Sequence, residues 1–211
     1  MATDGARAEP DRAVRPATPA DREHIAGVLS RAFADDPAMT FIFPDPADRA
    51  RRLPRLFRLL IDADIAVGRV LLTGGREAAT LWRPPGHAHT GTLAMLRVLI
   101  PLLGAFGTAL GRGMAVGNAI DAHFPKGAFW YLHIAGCDPA HQGRGLGGAA
   151  IRAGFDARVP TYLETPVEGY VPLYQRLGFT LTGDWRVPGG GPRFWSMWRD
   201  ADASTGAPQP R

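Results

Sequence analysis

The densest chemical signal in the chain is His141-Gln142-Gly143-Arg144-Gly145-Leu146-Gly147-Gly148, a glycine-rich turn between an apolar segment and a helical one. Glycine has no Cβ to hold a ligand away from the main chain. The first amides of a helix point outward unsatisfied and carry partial positive charge from the helix dipole. That combination is a seat for phosphate, and Arg144 adds a full charge beside it. Gly143, Gly145 and Gly148 also satisfy G-x-G-x-x-G, with Glu164 near the position of a ribose-binding acid, so a nicotinamide dinucleotide is one candidate ligand. Two features weigh against it. Asp138-Pro139-Ala140-His141-Gln142 separates the apolar segment from the first glycine, whereas the dinucleotide fingerprint begins at the end of a strand. The chain after Gly148 reads as strand, short helix and hairpin, not as further βαβ units. A purely structural turn, in which the glycines serve close packing, is the third reading.

Other reactive side chains are fewer. Cys137 is the sole cysteine, so no internal disulfide forms, and no base adjacent in sequence would activate it as a nucleophile; packing on a strand explains it. His87, His89, His123 and His141 lack metal-ligand spacing, and no metal is expected. His133 reads first as a core histidine and second as a proton acceptor.

Elements on either side must position these groups. A strand at Ala13 to Pro16 precedes Thr18-Pro19-Ala20-Asp21, a helix start with a cap residue, a first-turn proline and an acid three residues after the cap. Ile25, Val28, Leu29, Ala32 and Phe33 then mark one buried helix face, ending near Asp36-Pro37. A second helix is expected over 47–64, with Pro54 near its start or kinking it. Arg49, Arg51, Arg52, Arg55 and Arg58 fall mostly opposite Leu53, Leu56, Phe57 and Leu60, as a solvated face. Strands over 69–73 and 78–83 flank Gly74-Gly75, which permits the positive dihedrals of a tight hairpin. From Thr90 to Met114 the pattern is helical and strongly apolar, bent or split at Pro101 and Gly104, and suits a core or dimer helix or the wall of an apolar pocket. Residues 128–137, apolar on both faces, read as a central strand. A helix over 145–158, a strand over 161–165, a helix over 170–177 and a hairpin of 179–187 with 193–198 complete a mixed α/β order containing one βαβ crossover.

Composition narrows the class. With 211 residues, 45% of them apolar and 21% charged, the chain buries one real core, expected over 12–200 with frayed tails at 1–11 and 201–211. The net charge of +4 is spread, with Lys126 the only lysine, so no phosphate-tracking stripe for nucleic acid is visible. The uncharged run from Val98 to Leu110, broken by Pro101, is shorter than the ~20 residues that cross a bilayer. No signal peptide is read at the start, and a cytoplasmic location is expected.

Gln142-x-x-Gly145-x-Gly147 after Ala135-Gly136-Cys137-Asp138-Pro139, together with Leu163-Glu164-Thr165 followed by Tyr170-Val171-Pro172-Leu173-Tyr174-Gln175-Arg176-Leu177-Gly178-Phe179, resembles the GNAT superfamily of N-acetyltransferases. The likeness runs from about Val14 to Arg199 and is strongest to the puromycin N-acetyltransferase-like group. It implies a mixed, largely antiparallel sheet with helices on both faces, splayed central strands and a C-terminal hairpin. It implies acetyl-CoA as co-substrate and a small-molecule primary amine as acceptor, joined by direct attack in a ternary complex. Carried over by motif, Ala135, Gly136 and Cys137 contact pantetheine through the main chain, Gln142, Gly143, Arg144, Gly145, Leu146, Gly147 and Gly148 wrap the pyrophosphate, and the N–H of Cys137 on a bulged strand stabilises the oxyanion. Tyr174 takes the general-acid position and Glu164 that of a base or substrate contact. Tyr170 stands where the family usually has Asn, which leaves room for a non-catalytic acyl-CoA sensor. Homodimerisation is a further expectation.

Overall fold

The structure is a computed structural model describing residues 12–89 and 104–202. Seven strands form one sheet: β1 (Val14–Pro16), β2 (Arg69–Thr73), β3 (Ala78–Arg83), β4 (Trp130–Cys137), β5 (Thr161–Thr165), β6 (Thr180–Arg186) and β7 (Arg193–Arg199), in spatial order β1-β2-β3-β4-β5-β7-β6. All neighbours are antiparallel except β4 and β5, whose parallel pairing requires the crossover helix between them. The helices are α1 (Arg22–Ala32), α2 (Pro37–Ile42), α3 (Pro46–Val67), α4 (Leu110–Ala122), α5 (Leu146–Arg152) and α6 (Val171–Arg176). This is the mixed, largely antiparallel α/β architecture with a C-terminal hairpin expected from the sequence. No helix among the described residues is long and apolar enough to cross a membrane.

Two apolar layers sandwich the sheet. On one face Ile25, Leu29, Phe57 and Ile61 from α1 and α3 pack on Leu72 and Leu81; on the other Ile151 and Tyr174 from α5 and α6 pack on Trp82, Leu132, Leu163 and Met197. Trp82 is wholly buried, its indole N–H donates to Thr80 Oγ1, and a Cβ at Gly154 would lie 2.2 Å from its ring. Gly154→Ala is therefore expected to cost about 1–3 kcal/mol by overpacking, read as a lowered urea midpoint at unchanged slope.

The turn from β1 into α1 is held by electrostatics. The Asp21 carboxylate accepts from the Thr18 amide and hydroxyl at 2.9 Å and from both terminal nitrogens of Arg15, contacts that hold it far below the usual carboxylate range.

Several expectations need correction. The segment after α1 is not a simple connection: Asp36 accepts from the amides of Ala38 and Met39 and caps α2, a short helix that periodicity over so few residues cannot reveal. The second long helix runs from Pro46 to Val67, with Pro54 inside it. The left-handed residue of the β2–β3 turn is Arg76, at φ 66°, not a glycine of Gly74-Gly75. The arginine cluster is only partly a solvated face. Arg51 and Arg55 are exposed, whereas Arg49 is buried and donates to the carbonyls of Ala34, Phe43 and Pro44 at 2.6, 2.7 and 3.3 Å, locking the segments on both sides of α2 to α3. The helix expected over 145–158 ends at Arg152. At the far end Asp202 is tied down, its amide donating to Ala157 O. The expected apolar helix falls largely on 90–103, and the tails on 1–11 and 203–211; these lie outside the described residues, and with the apolar helix goes the surface for homodimerisation.

Candidate active site

β4 and β5 pair only at Trp130↔Thr161 and Tyr131↔Tyr162, after which they part. β4 meanwhile stays bound to β3, from Tyr131↔Arg83 to Cys137↔Ala78. The amide of Asp138 donates to Glu77 O at 2.8 Å, which sets the phase of that ladder. Because antiparallel residues alternate between bonding the partner strand and facing away, Gly136 is turned to β3 while Ala135 and Cys137 turn their backbone N–H and C=O groups into the gap. Gln142 Nε2 donates to the Cys137 carbonyl at 3.2 Å. Gly136 serves a close approach instead: a Cβ there would sit 2.6 Å from the Leu29 side chain, so α1 lies directly on the strand.

The register slips between Leu81 and Trp82, whose partners are Ile134 and Leu132, leaving His133 as the extra residue. The bulge of β4 is therefore four positions before Cys137. It turns both His133 and Ile134 toward the α1–α3 layer, His133 meeting Asp64 and Ile134 the core around Leu29.

At the open end of the gap lies the glycine turn. Gly145, at φ 77° and ψ 4°, caps α5 in the left-handed region and brings no side-chain acceptor to its first amides. Gly143 shares φ 77°, and a Cβ on Gly143 or Gly147 would meet nothing within 4 Å, so ligand atoms can reach the main chain at both. A cavity of about 720 Å³ joins this turn to the gap. Of the residues singled out in the sequence, Ala135, Gly136, Cys137, Gln142, Gly143, Gly145, Leu146, Gly147 and Gly148 line it, as do Tyr170 and Tyr174. Arg144 is exposed and outside the wall, although its charge is felt at the Cys137 thiol. His141, read from sequence only as a failed metal ligand, lines the cavity with its Nδ1 buried and without a partner among the described residues.

Tyr174 reaches the cavity from α6. Burial and the nearby Tyr170, Glu164 and Asp36 push its phenol well above the ordinary value, so it holds its proton. Asp36, from the α1–α2 corner, faces the same cavity, and its carboxyl is pushed up to about 6 by burial, against the pull of its two amide donors. Cys137 is pushed up to about 11 by burial and by Asp138 and Glu77, an inert thiol at neutral pH.

Glu164 is not in the cavity wall but on the α1–α3 side of the gap. Its Oε1 accepts from the Tyr131 hydroxyl at 2.5 Å, its Oε2 is buried with no partner among the described residues, and burial lifts the carboxyl to about 8. Beside it runs a chain that sequence reading missed. Asp64, with 0% of its side chain exposed, accepts from Arg83 Nε and His133 Nδ1 at 2.6 Å each. A signal existed: Asp64 follows Phe57 and Ile61 on the buried stripe of α3, where an acid has no place without a partner.

Solved structures share this fold. The chain is similar to the crystal structure of a histone acetyltransferase HPA2 and related acetyltransferase from Corynebacterium glutamicum, with 27% identity and a TM-score of 0.70 over 92% of this chain and 98% of that one. It is also similar to a polyamine N-acetyltransferase of Drosophila melanogaster that catalyses formation of N-acetylagmatine (20%, TM-score 0.55, 89% and 99%). A third likeness is to an N-acetyltransferase from Staphylococcus aureus Mu50 (13%, TM-score 0.55, 88% and 99%). The fold is that of the GNAT acetyltransferases. No protein-family model matches the chain.

Proposed function

We propose that the protein is an N-acetyltransferase carrying acetyl from acetyl-CoA to a primary amine of a small molecule by direct attack in a ternary complex. One observation carries this reading: the unpaired edge of β4 at Ala135 and Cys137 opens in one cavity with the α5 end at Gly145, where no side chain caps the first amides. A diphosphate would sit on the amides from Gln142 to Gly148 with Arg144 adding charge from outside, and the pantetheine arm would bond to Ala135 and Cys137 as a strand does. Cys137 adjoins the diphosphate end, and the strands close toward Tyr131, so we assign the thioester and its oxyanion donor to Ala135 rather than to the Cys137 amide. Tyr174 protonates the departing thiolate. Glu164 Oε2 receives the acceptor ammonium. The turn and the Leu163-Glu164-Thr165 strand keep the puromycin N-acetyltransferase-like group as the nearest subgroup in our reading.

The test is a panel of amines, among them agmatine, spermidine, tyramine and puromycin, incubated with acetyl-CoA and followed by thiol release. Amine-dependent release supports the proposal. Acetyl-CoA binding with no release for any amine contradicts it in favour of a sensor. Cys137→Ala is expected to leave turnover within a few-fold, since no acyl-enzyme is required; an acetylated Cys137 trapped by mass spectrometry would reverse that. Above pH 8, where Glu164 is charged, Glu164→Gln is expected to raise the amine KM about 10- to 100-fold, the worth of a charged hydrogen bond, with kcat less affected. In the unmodified enzyme that KM should fall as pH rises through about 8, where Glu164 gains its charge.

A further inference from the structure

An alkylammonium must lose a proton before its nitrogen can attack, and Glu164 is poorly suited to take it at neutral pH because burial keeps its own carboxyl protonated up to about 8. The neighbouring chain offers a different acceptor. Asp64 and Arg83 are both buried and joined at 2.6 Å, so this carboxylate is charged, and its second oxygen accepts from His133 Nδ1 at 2.6 Å. A carboxylate only accepts, so the ring carries its hydrogen on Nδ1 and presents a lone pair on Nε2.

Resting on the acetyltransferase reading above, we propose that His133, oriented by Asp64, is the group that deprotonates the acceptor amine, with Asp64 a positioning residue. The location supports it. His133 is the residue that the β4 bulge adds, on the strand that borders the gap, next to Tyr131, whose hydroxyl is bonded to the carboxylate assigned to the ammonium. Its ring centroid lies 5.3 Å from that of Tyr131, and 16% of its side chain remains exposed while Asp64 is sealed behind it. The groups facing His133 are Asp64 from α3, Arg83 from β3 and Tyr131 on its own strand, with Glu164 of β5 beyond Tyr131. Burial and the Arg83 charge push the imidazole below its ordinary value against the pull of Asp64, so the ring is neutral and ready to accept at neutral pH.

The proton balance is complete. One ammonium proton passes to His133 Nε2 and later to solvent. The freed lone pair forms the N–C bond to the thioester carbonyl, and the C–S bond breaks with its electrons on sulfur. Tyr174 protonates the thiolate, and the proton that the nitrogen sheds on becoming an amide returns to Tyr174.

The experiment compares the native enzyme with His133→Gln, using whichever amine of the panel is turned over, from pH 5 to 9. The expected result is a loss of kcat of about 100-fold or more, with the amine KM and acetyl-CoA affinity nearly unchanged, and disappearance of the acidic limb of the kcat profile. Exogenous imidazole should restore turnover to His133→Ala. A purely structural histidine predicts neither the lost limb nor the rescue, and retention of both kcat and limb in His133→Gln overturns the proposal. Because Asp64 variants can fail to fold, the dyad is also read in the native protein by nitrogen-15 NMR of the imidazole at pH 7.5. A hydrogen on Nδ1 supports the dyad; a hydrogen on Nε2, or a charged ring, overturns it. If no amine is acetylated by the native enzyme, the acetyltransferase reading itself has failed and the proposal falls with it, whereas an active native enzyme with an indifferent His133→Gln removes the proposal alone.

Discussion

Tyr174→Phe is expected to lower turnover by about 100- to 10,000-fold, the range a positioned general acid contributes, while acetyl-CoA binds as before. The phenol is buried on α6 and lines the cavity at the gap, whereas the other phenol in that wall, Tyr170, is exposed. Its ring packs edge-on against Phe179 with centroids 5.9 Å apart, a contact phenylalanine preserves, so the loss should appear in kcat and not in stability. Burial beside Tyr170, Glu164 and Asp36 disfavours a tyrosinate, which keeps the acid form available across the physiological range. Equal kcat in the two proteins would remove Tyr174 from the mechanism.

Asp64→Ala is expected to destabilise the fold by about 3–5 kcal/mol, because a buried ion pair that loses one partner leaves an uncompensated charge. Arg83 donates to Asp64 and to Ala88 O, both buried contacts, and without the carboxylate its charge stays in the core. Against a total stability of about 5–15 kcal/mol this is a large fraction. For a chain of this length it corresponds to a fall in Tm of about 6–20 °C. The pair is not optimal for stability as such, so Asp64→Leu combined with Arg83→Met should recover much of the loss. A Tm within a degree or two of the native value for Asp64→Ala would mean that the pair is solvated. The helix face explains the position: α3 crosses the sheet at β3, and the stripe that delivers Phe57 and Ile61 to the core delivers Asp64 to Arg83.

What could be read from the chain depends on how local the cause was. The strands β2, β3 and β5 were legible to the residue because short apolar runs bounded by turn residues define them, although the left-handed residue of the β2–β3 turn is Arg76 and not a glycine. The glycine turn is contained in one segment, and nine of the residues expected at the coenzyme line one cavity. The bulge at His133 was not, since register depends on the partner strand and nothing in residues 128–137 marks an extra residue. Asp64 and His133 meet across 69 positions, Tyr131 and Glu164 across 33, and no spacing rule connects such pairs. Arg49 reads as one of a solvated row because its helix phase is ambiguous, and only the folded segments before and after α2 supply the carbonyls that draw it inward.

The central claim is that the gap and the glycine turn together hold an acyl-CoA. Calorimetric titration of the native protein and of Gly147→Asp with acetyl-CoA, and of the native protein with NAD, tests it directly. The side chain added at Gly147 has open space in which to stand, so it puts a carboxylate in the diphosphate seat without disturbing the fold. One acetyl-CoA is expected to bind per native chain, none to the variant at the same concentrations, and NAD is expected to give no heat. Equal binding of acetyl-CoA by both proteins, or binding of NAD in its place, would contradict it.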